Sequence, residues 1–527
     1  MFAVNRFIKN HFLIISILLI STLLKLPLIW DSYPIPINLD EPYLINSGLR
    51  VLNNFFLYKS LDPEFYTWGS FPIYISALLS SFLIFFKFIF FNPENLSIEA
   101  LSYSIERIDF YVINRFFNLL LMNISVLTIY IFCKKNFNFF IAILSSIIVV
   151  MSPAYMHLSS IATTEHWNVL FSSLIIFFSF EIYKNVSNLK YVILYGLVLG
   201  VSVATKYYNF LFVVPLMTIF FLKILEKKYL YKQVILVGVI SITTFFICMP
   251  YSLLNFEGFI TTLQAISDEY TRGHAGAESD YNHSYLLIAK SLFSLNFGNP
   301  LLAMLFLMSF YFFYFKKKEY LIFIFFPLIY CAFIGAYNVF YGRSIISLIP
   351  YVAIASSILI YNYYLFIKNK KFKYILLLFL ILTFFPTLNL NYIKIKDSFI
   401  VDTRYISLTW VKKNISPKDV IVAGHYSPPV WSLENFDNAN RFWFLHQTNN
   451  EISSKKINNY VKYVILSSQA YKRYFNIDGT INDKYPVRGK LYKDFFDQNK
   501  LFKRFKPEQN KSKGPEIRIY LNKFYKG

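Results

Sequence analysis

Cysteine is scarce in this 527-residue chain: Cys133, Cys248 and Cys331 each stand alone inside an apolar run. Without a CxxC pair or any clustering they support neither a disulfide framework nor a zinc site. Acidic residues are also few, 30 against 52 Lys and Arg, for a formal net charge of +22. No G-x-G-x-x-G, Walker or H-E-x-x-H pattern occurs, so the usual signatures of dinucleotide, P-loop and zinc-protease sites are missing. Internal repeats and low-complexity segments are missing too. A basic surplus in a soluble protein would point to nucleic acid. Here much of it is lysine in short loops between apolar blocks, so no nucleic-acid partner is expected. What the chain has in abundance is hydrophobicity: 56% hydrophobic, 20% aromatic, mean hydropathy +0.44. The apolar blocks run about 16 to 24 residues, near the roughly 20 that cross a bilayer as a helix. This predicts a polytopic membrane protein.

The first block, Phe12 to Trp30, follows Arg6 and Lys9 and lacks a small-residue cleavage site, which reads as a retained signal anchor. Lysine-rich loops favour the cytoplasmic side. With the N-terminus inside, Lys134-Lys135, Lys184/Lys190, Lys227-Lys228, Lys316 to Lys318 and Lys368 to Lys371 all fall inside if later crossings lie near 110–133, 137–158, 166–183, 191–205, 207–224, 233–250, 298–315, 319–340, 345–366 and 374–391. That gives about eleven spans. It requires Phe71–Phe91 to lie in the outer leaflet rather than cross, with Glu41–Tyr58 as an amphipathic companion. The expected fold is an all-α polytopic membrane domain over 1–391, with outer-face juxtamembrane helices. Residues 392–527 contain no further membrane run and read as a soluble, extracytoplasmic (periplasmic) α/β domain. Its signals are a helix at Arg404–Asn414 and strands at Val420–Ala423, Tyr463–Ser467 and Glu516–Leu521. It holds 25 basic against 12 acidic residues, which suits anionic lipid or an acidic acceptor as well as a solvated surface. The location implied is the cytoplasmic (inner) membrane, N-terminus in the cytoplasm.

Under this topology Asp40, Glu41, Glu165, His166, Lys206, His274 and Arg343 all sort to outer helix ends or outer loops. Ionisable groups at membrane depth cost about 2.5–3.5 kcal/mol each on insertion scales, so they tend to mark a site. Snorkelling to the headgroups would account for Lys206, Arg343 or Arg115 taken singly. Taken alone, the Asp40-Glu41 pair reads more readily as a solvated loop. The stretch 251–297, with Tyr270-Thr271-Arg272-Gly273-His274-Ala275-Gly276, reads as a folded lid rather than a linker.

Taken in order, these segments resemble the GT-C superfamily of integral-membrane glycosyltransferases, and within it the protein O-mannosyltransferase and aminoarabinose-transferase-like families. Asp40-Glu41 stands where those families carry an acidic pair in the first outer loop. Trp68-Gly69-Ser70-Phe71-Pro72-Ile73-Tyr74 is similar to their proline-containing motif, and Arg115 resembles the arginine opening the next helix. Met151-Ser152-Pro153 with Ala162-Thr163-Thr164-Glu165 resembles the segment of their second acid, commonly Asp. Ala204-Thr205-Lys206-Tyr207 and Tyr341-Gly342-Arg343, with Leu348-Ile349-Pro350, look like the later lysine and arginine signatures, and Gly273-His274-Ala275-Gly276 resembles a loop motif of bacterial members. Asp402-Thr403-Arg404 through Trp410 and Pro417 looks like the start of their outer domain.

The resemblance implies transfer of a sugar from a polyprenyl-phosphate donor to a lipid, glycan or protein acceptor at the outer face. The residue types suit it: a carboxylate can take the acceptor's proton as it attacks an oxocarbenium-like centre. Asp40 is the base expected, for inversion in one displacement, with Glu41 and Glu165 assisting as acceptor-orienting groups or as ligands of a divalent cation, which the sequence neither requires nor excludes. Lys206, Arg343 and Arg115 are the cations for the donor phosphate, and His166, Tyr270 and His274 the acceptor-side candidates. A transporter or flippase also needs charged helix ends, but would more often show broken helices and paired repeats. A lipid-linked glycan polymerase or ligase works at the same face without the early acidic pair, and a non-catalytic receptor would leave the sorted charges unexplained.

Overall fold

The computed structural model describes residues 2–36, 38, 40–91, 106–226, 230–273, 284–294, 297–316, 318–424, 426–428, 439–441, 461–523 and 525. His274, with Ala275 and Gly276 beside it, lies outside these. The chain divides into two compact units, Met1–Ile29 with Asp40–Ile395, and Trp30–Leu39 with Lys396–Gly527.

The first unit is helical because its apolar runs leave no other way to satisfy backbone groups in hydrocarbon. Among the described residues nine helices are long and apolar enough to cross a membrane, and three shorter apolar ones, Phe139–Met151, Leu189–Val203 and Pro300–Phe315, accompany them. The runs expected from sequence form helices with ends shifted by a few residues, or by more where a helix stops early. The 137–158 run, for example, breaks where Ser152 adopts an extended conformation and Pro153 starts a short second helix, as a proline demands. Two helices occupy the centre: Glu165–Lys184 and the Gly342–Phe366 stretch are 83% and 89% buried over their apolar windows. Lys370–Ser398, at 17%, presents most of its apolar surface outward, as a lipid-facing helix does.

One end of this bundle is basic. Lys135 pairs with Glu181 at 2.7 Å and Lys223 with Glu226 at 2.8 Å. Lys184 donates to Asn136 Oδ1 and Tyr183 to Glu226. The opposite end carries the acidic residues singled out above. Helix Phe71–Phe90 has the length and hydropathy of a crossing, yet both its ends are tied to that second end. Phe71 N donates to Ala204 O, in the turn that precedes Lys206. Lys87 pairs at 2.5 Å with Asp109, in the first turn of helix Arg107–Asn136. Its small residues Ser76 and Ala77 meet Gly48 of helix Asp40–Tyr58, where an added Cβ would lie 2.9 Å from Ser76 Oγ. The stretch expected to be a lid is helical over Phe256–Arg272; there Phe259 packs edge-on to Tyr66 and Tyr207.

The second unit is built on a five-stranded sheet ordered β3-β2-β4-β7-β5, with β2 Val420–Ala423, β3 Ala439–Arg441, β4 Val461–Ser467, β5 Lys500–Phe505 and β7 Ile517–Leu521; a two-residue ladder joins β1 Val401–Asp402 to β6 Ser512–Lys513. Strands β2, β3 and β4 are parallel, and β7 is antiparallel to both β4 and β5. Central β4 is buried along nearly its whole length, as its run of Val, Ile and Leu requires. Edge strand β5 is exposed and carries Lys500, Lys503 and Arg504, charges that discourage pairing with another strand. Its lack of alternation kept it out of the sequence reading, whereas β2, β4, β7 and helix Thr403–Asn414 stand where expected. Asp402 caps that helix through Arg404 N at 2.8 Å. The 30–39 stretch belongs to this unit: Ile35 sits in its core beside Leu408, Ile421 and Ile465, and Arg404 donates to Pro36 O at 2.9 Å.

Candidate active site

Asp40 and Glu41 open helix Asp40–Tyr58, where carboxylates complement the helix dipole. Their side chains separate at once. Glu41 is fully buried and held bidentately by Arg115, Nε to Oε1 at 2.7 Å and Nη2 to Oε2 at 2.8 Å. Ala162 N donates to Glu41 Oε1 at 2.8 Å, and Arg115 Nη1 donates to Ile29 O at 2.8 Å. This pair joins the ends of four segments: the first helix, the acidic helix, Arg107–Asn136 and the loop before Glu165. Arg115 therefore spends its fork on Glu41, and neither side chain is solvent-exposed.

Asp40 faces a different partner. Arg343 Nη1 donates to Asp40 Oδ2, and Arg343 Nε lies 3.5 Å from Glu165 Oε1. Lys206 Nζ reaches the same Glu165 oxygen at 2.7 Å. Four of the residues singled out from sequence, from four separate segments, thus form one alternating chain of charge, Asp40–Arg343–Glu165–Lys206. Glu165 is almost buried, at 3% side-chain exposure, whereas Asp40 and Arg343 stand at 23% and 26%. Its second oxygen, Oε2, has no hydrogen-bond partner among the described residues.

Backbone contacts fix where Lys206 stands. The Trp68–Phe71 segment runs against the turn before Lys206, with Gly69 N donating to Thr205 O at 3.2 Å and Phe71 N to Ala204 O at 3.1 Å. A Cβ on Gly69 would lie 1.8 Å from Ala204 O, so only glycine permits this approach. Tyr207 Oη donates to Tyr66 O at 2.7 Å. Aromatic rings flank both cations: Arg343 lies over Tyr341 at 4.8 Å, and Lys206 over Tyr208 at 5.6 Å. Tyr208 and Tyr341 were not picked out as site residues; their adjacency to Lys206 and Arg343 was the available signal. Tyr270 faces Tyr337 edge-on at 5.8 Å. Burial pushes the phenols of Tyr270 and Tyr341 up, keeping them neutral hydrogen-bonding groups.

His166 follows Glu165 and is fully buried, with neither ring nitrogen hydrogen-bonded among the described residues. Tyr43 stacks on Phe65 at 5.8 Å, and Trp68 meets Phe65 edge-on at 4.8 Å, an aromatic corner one turn from Asp40. Glu41 does not fit a divalent cation, because Arg115 and Ala162 N occupy its oxygens. Glu165 offers one oxygen without a partner among the described residues, with two cationic groups within 3.5 Å of the other. Among the described residues no group of three His, Cys, Asp or Glu side chains could hold a metal ion.

Residues 100–252 match the family model described as dolichyl-phosphate-mannose-protein mannosyltransferase. No curated protein matches the sequence. Among solved structures, ArnT from Cupriavidus metallidurans bound to undecaprenyl phosphate superposes with a TM-score of 0.56 at 10% identity, covering 99% of each chain. The Archaeoglobus fulgidus oligosaccharyltransferase in complex with zinc and sulfate gives 0.55 at 13% identity, over 96% of this chain and 73% of that one. The same archaeon's AglB, in complex with an inhibitory peptide and a dolichol-phosphate, gives 0.53 at 13% identity, over 89% and 71%. The chain is a multi-pass membrane protein with the fold of the GT-C glycosyltransferases, as the order of its motifs implies.

Proposed function

We propose that this protein transfers a sugar from a polyprenyl-phosphate donor to an acceptor hydroxyl or amide at the outer face of the cytoplasmic membrane, with inversion, and that Asp40 is the general base. The observation that carries the reading is the alternating Asp40–Arg343–Glu165–Lys206 chain at the end of the bundle opposite the lysine cluster. Lysine-rich ends favour the cytoplasm, which puts this chain outside. Helix Phe71–Phe90 then lies along the outer surface, and the remaining long and short apolar helices make eleven crossings.

A lipid phosphate presents charge and oxygens like those of the carboxylates that Arg343 and Lys206 now hold, and an arginine fork suits either. Donor binding would therefore compete for Arg343 and release Asp40. The acceptor heteroatom then attacks the anomeric carbon as the bond from that carbon to the phosphate oxygen breaks. Its proton passes to the Asp40 carboxylate, and polyprenyl phosphate leaves with the bonding pair, its charge held by Arg343 and Lys206. Glu165 keeps both cations aimed. Arg115 serves here as the clamp on Glu41 rather than as a phosphate ligand. His166, Tyr270 and the Tyr43–Phe65–Trp68 corner are placed for the acceptor or sugar side. The experiment is incubation of purified protein with radiolabelled polyprenyl-phosphate sugar and membrane extract. Release of polyprenyl phosphate with label on an acceptor supports the proposal; movement of an intact solute across vesicles without release replaces it with a transporter.

A further inference from the structure

The second unit carries a cleft of about 470 Å³ that the transfer reaction does not use. Its walls are the end of β5 with Arg504 and Lys506, the turn Gly514-Pro515-Glu516 that leads into β7, and Ser468 to Lys472, which follow β4. In open α/β sheets, ligands collect outside the carboxyl ends of the parallel strands, and β4 ends here at Ser467. The volume falls within the 300–1,000 Å³ or so usual for small-molecule sites.

Charge gives the ligand class. Glu516 is the one acidic residue among the described residues of the lining, and it is already engaged: Arg504 reaches its Oε2 at 2.8 Å, Arg518 its Oε1, and Tyr471 Oη donates to Oε1 at 3.2 Å. Burial alone would raise its carboxyl, but the two arginines hold it down at about 2, so it is fully ionised and fully compensated. Lys472 and Lys506 have no acidic partner among the described residues, which leaves the lining with surplus positive charge. Ser468 Oγ accepts from Glu516 N at 3.0 Å, leaving its own O–H to donate. The rim is stiffened by Pro507 and Pro515, and by Gly514 at φ +95°, packed where a Cβ would lie 2.7 Å from Asp402 Oδ1.

We infer that this cleft is an anion site for a phosphate ester, bound by Lys472, Lys506 and the outer edge of Arg504. Lysines supply point charges, the arginine a directional donor and Ser468 a neutral one. The phosphate can belong to a lipid headgroup or to a soluble phosphorylated molecule, and the two sources are separable. The full chain in neutral detergent is titrated calorimetrically with inorganic pyrophosphate and, separately, with dihexanoyl phosphatidic acid below its micellar concentration. Because the transmembrane cations would also bind phosphate under the function proposed above, both titrations are repeated in Lys206→Ala/Arg343→Ala. Binding should persist there and weaken about 10- to 100-fold in Lys472→Glu/Lys506→Glu, while Lys490→Glu/Lys493→Glu, elsewhere in the same unit, should bind as wild type. Tighter binding of the short-chain lipid than of pyrophosphate names the headgroup, and the reverse order names a soluble phosphate. Unchanged affinity for both probes in Lys472→Glu/Lys506→Glu, with correct folding, overturns the assignment. So does loss of all binding in Lys206→Ala/Arg343→Ala.

Discussion

Asp40 and Glu41 are neighbours in the chain, have the same chemistry, and each pairs with an arginine, yet they occupy different regions. The Glu41–Arg115 pair has 0% exposure on both sides, both carboxylate oxygens used and a backbone N–H added. The Asp40–Arg343 pair keeps about a quarter of each side chain exposed and shares its arginine with Glu165, whose Oε2 has no hydrogen-bond partner among the described residues. A saturated, dry ion pair can only hold elements together, because any exchange of partners would strand a charge in low dielectric. An incomplete, partly wetted one can exchange partners at modest cost. The difference between structure and function here is hydration and saturation, not residue type.

The largest expected effect breaks the wet side alone. Asp40→Asn keeps size and polarity but cannot accept a proton, so turnover should fall by about 10²–10⁴ while donor affinity and folding stay near wild type. Sugar transfer and donor binding on monodisperse protein measure this, and full activity in the variant would return Asp40 to a helix-terminus role, where Asn serves as well.

Breaking the dry side should do the opposite. Arg115→Met leaves the Glu41 carboxylate buried without its guanidinium, which costs about 3–5 kcal/mol of stability. Thermal unfolding and folded yield should drop sharply, with the surviving folded fraction still binding donor. Glu41→Gln/Arg115→Met should be less destabilised than the sum of its single variants. Lost donor binding in folded Arg115→Met would instead give this arginine a direct part in phosphate recognition.

The third effect separates geometry from charge at the shared arginine. Arg343→Ala removes charge-assisted hydrogen bonds worth about 1.5–3 kcal/mol, so donor affinity should weaken roughly 10- to 100-fold. Arg343→Lys should recover only part, since an ammonium cannot span two oxygens as the fork does. Equal donor affinity in wild type and Arg343→Ala would reduce the arginine to a headgroup anchor.

Much of this is legible in the sequence. Apolar runs located the helices, because length and hydropathy leave few alternatives in a bilayer, and charged residues at helix ends identified Asp40, Glu165, Lys206 and Arg343. Sidedness of the lysine loops requires Phe71–Phe90 to stay on one side, whereas its length and hydropathy are those of a crossing. Partner choice was not readable. Glu41 and Arg115 are 74 residues apart, and nothing local distinguishes an arginine that clamps a carboxylate from one that meets a phosphate. The need for glycine at 69 comes from a carbonyl 135 residues later in the chain, Ala204 O. Ile35 has no apolar neighbour pattern to mark it, and its side chain completes a core whose other members begin at Leu408. Strand β5 has no alternating pattern because its side chains are exposed on both faces.

The smallest effect sharpens the comparison with a third carboxylate. Glu516, like Glu41, is buried with both oxygens held by guanidinium groups, here from two arginines rather than one, but its arginines reach solvent, Arg504 at 39% side-chain exposure. Burial opposes its ionisation and the arginines overcome it, leaving its carboxyl at about 2, against an ordinary glutamate value of about 4.5. Because the folded value is the lower one, the stabilisation is complete above about pH 4.5 and is lost progressively as pH falls from there toward 2. Amide exchange in β4 and β7, corrected for its intrinsic pH dependence, should show protection falling through that window in wild type. In Glu516→Gln the fall should be shallower, with lower protection already at neutral pH, since no proton is taken up at this position on unfolding. The loss at neutral pH should be well below that of Arg115→Met, because water can solvate an abandoned Arg504 and cannot reach an abandoned Glu41. Parallel pH profiles in wild type and Glu516→Gln would place the acid sensitivity of this unit elsewhere. A neutral-pH loss as large as that of Arg115→Met would mean that hydration of the partner does not decide what a paired carboxylate is worth in this protein.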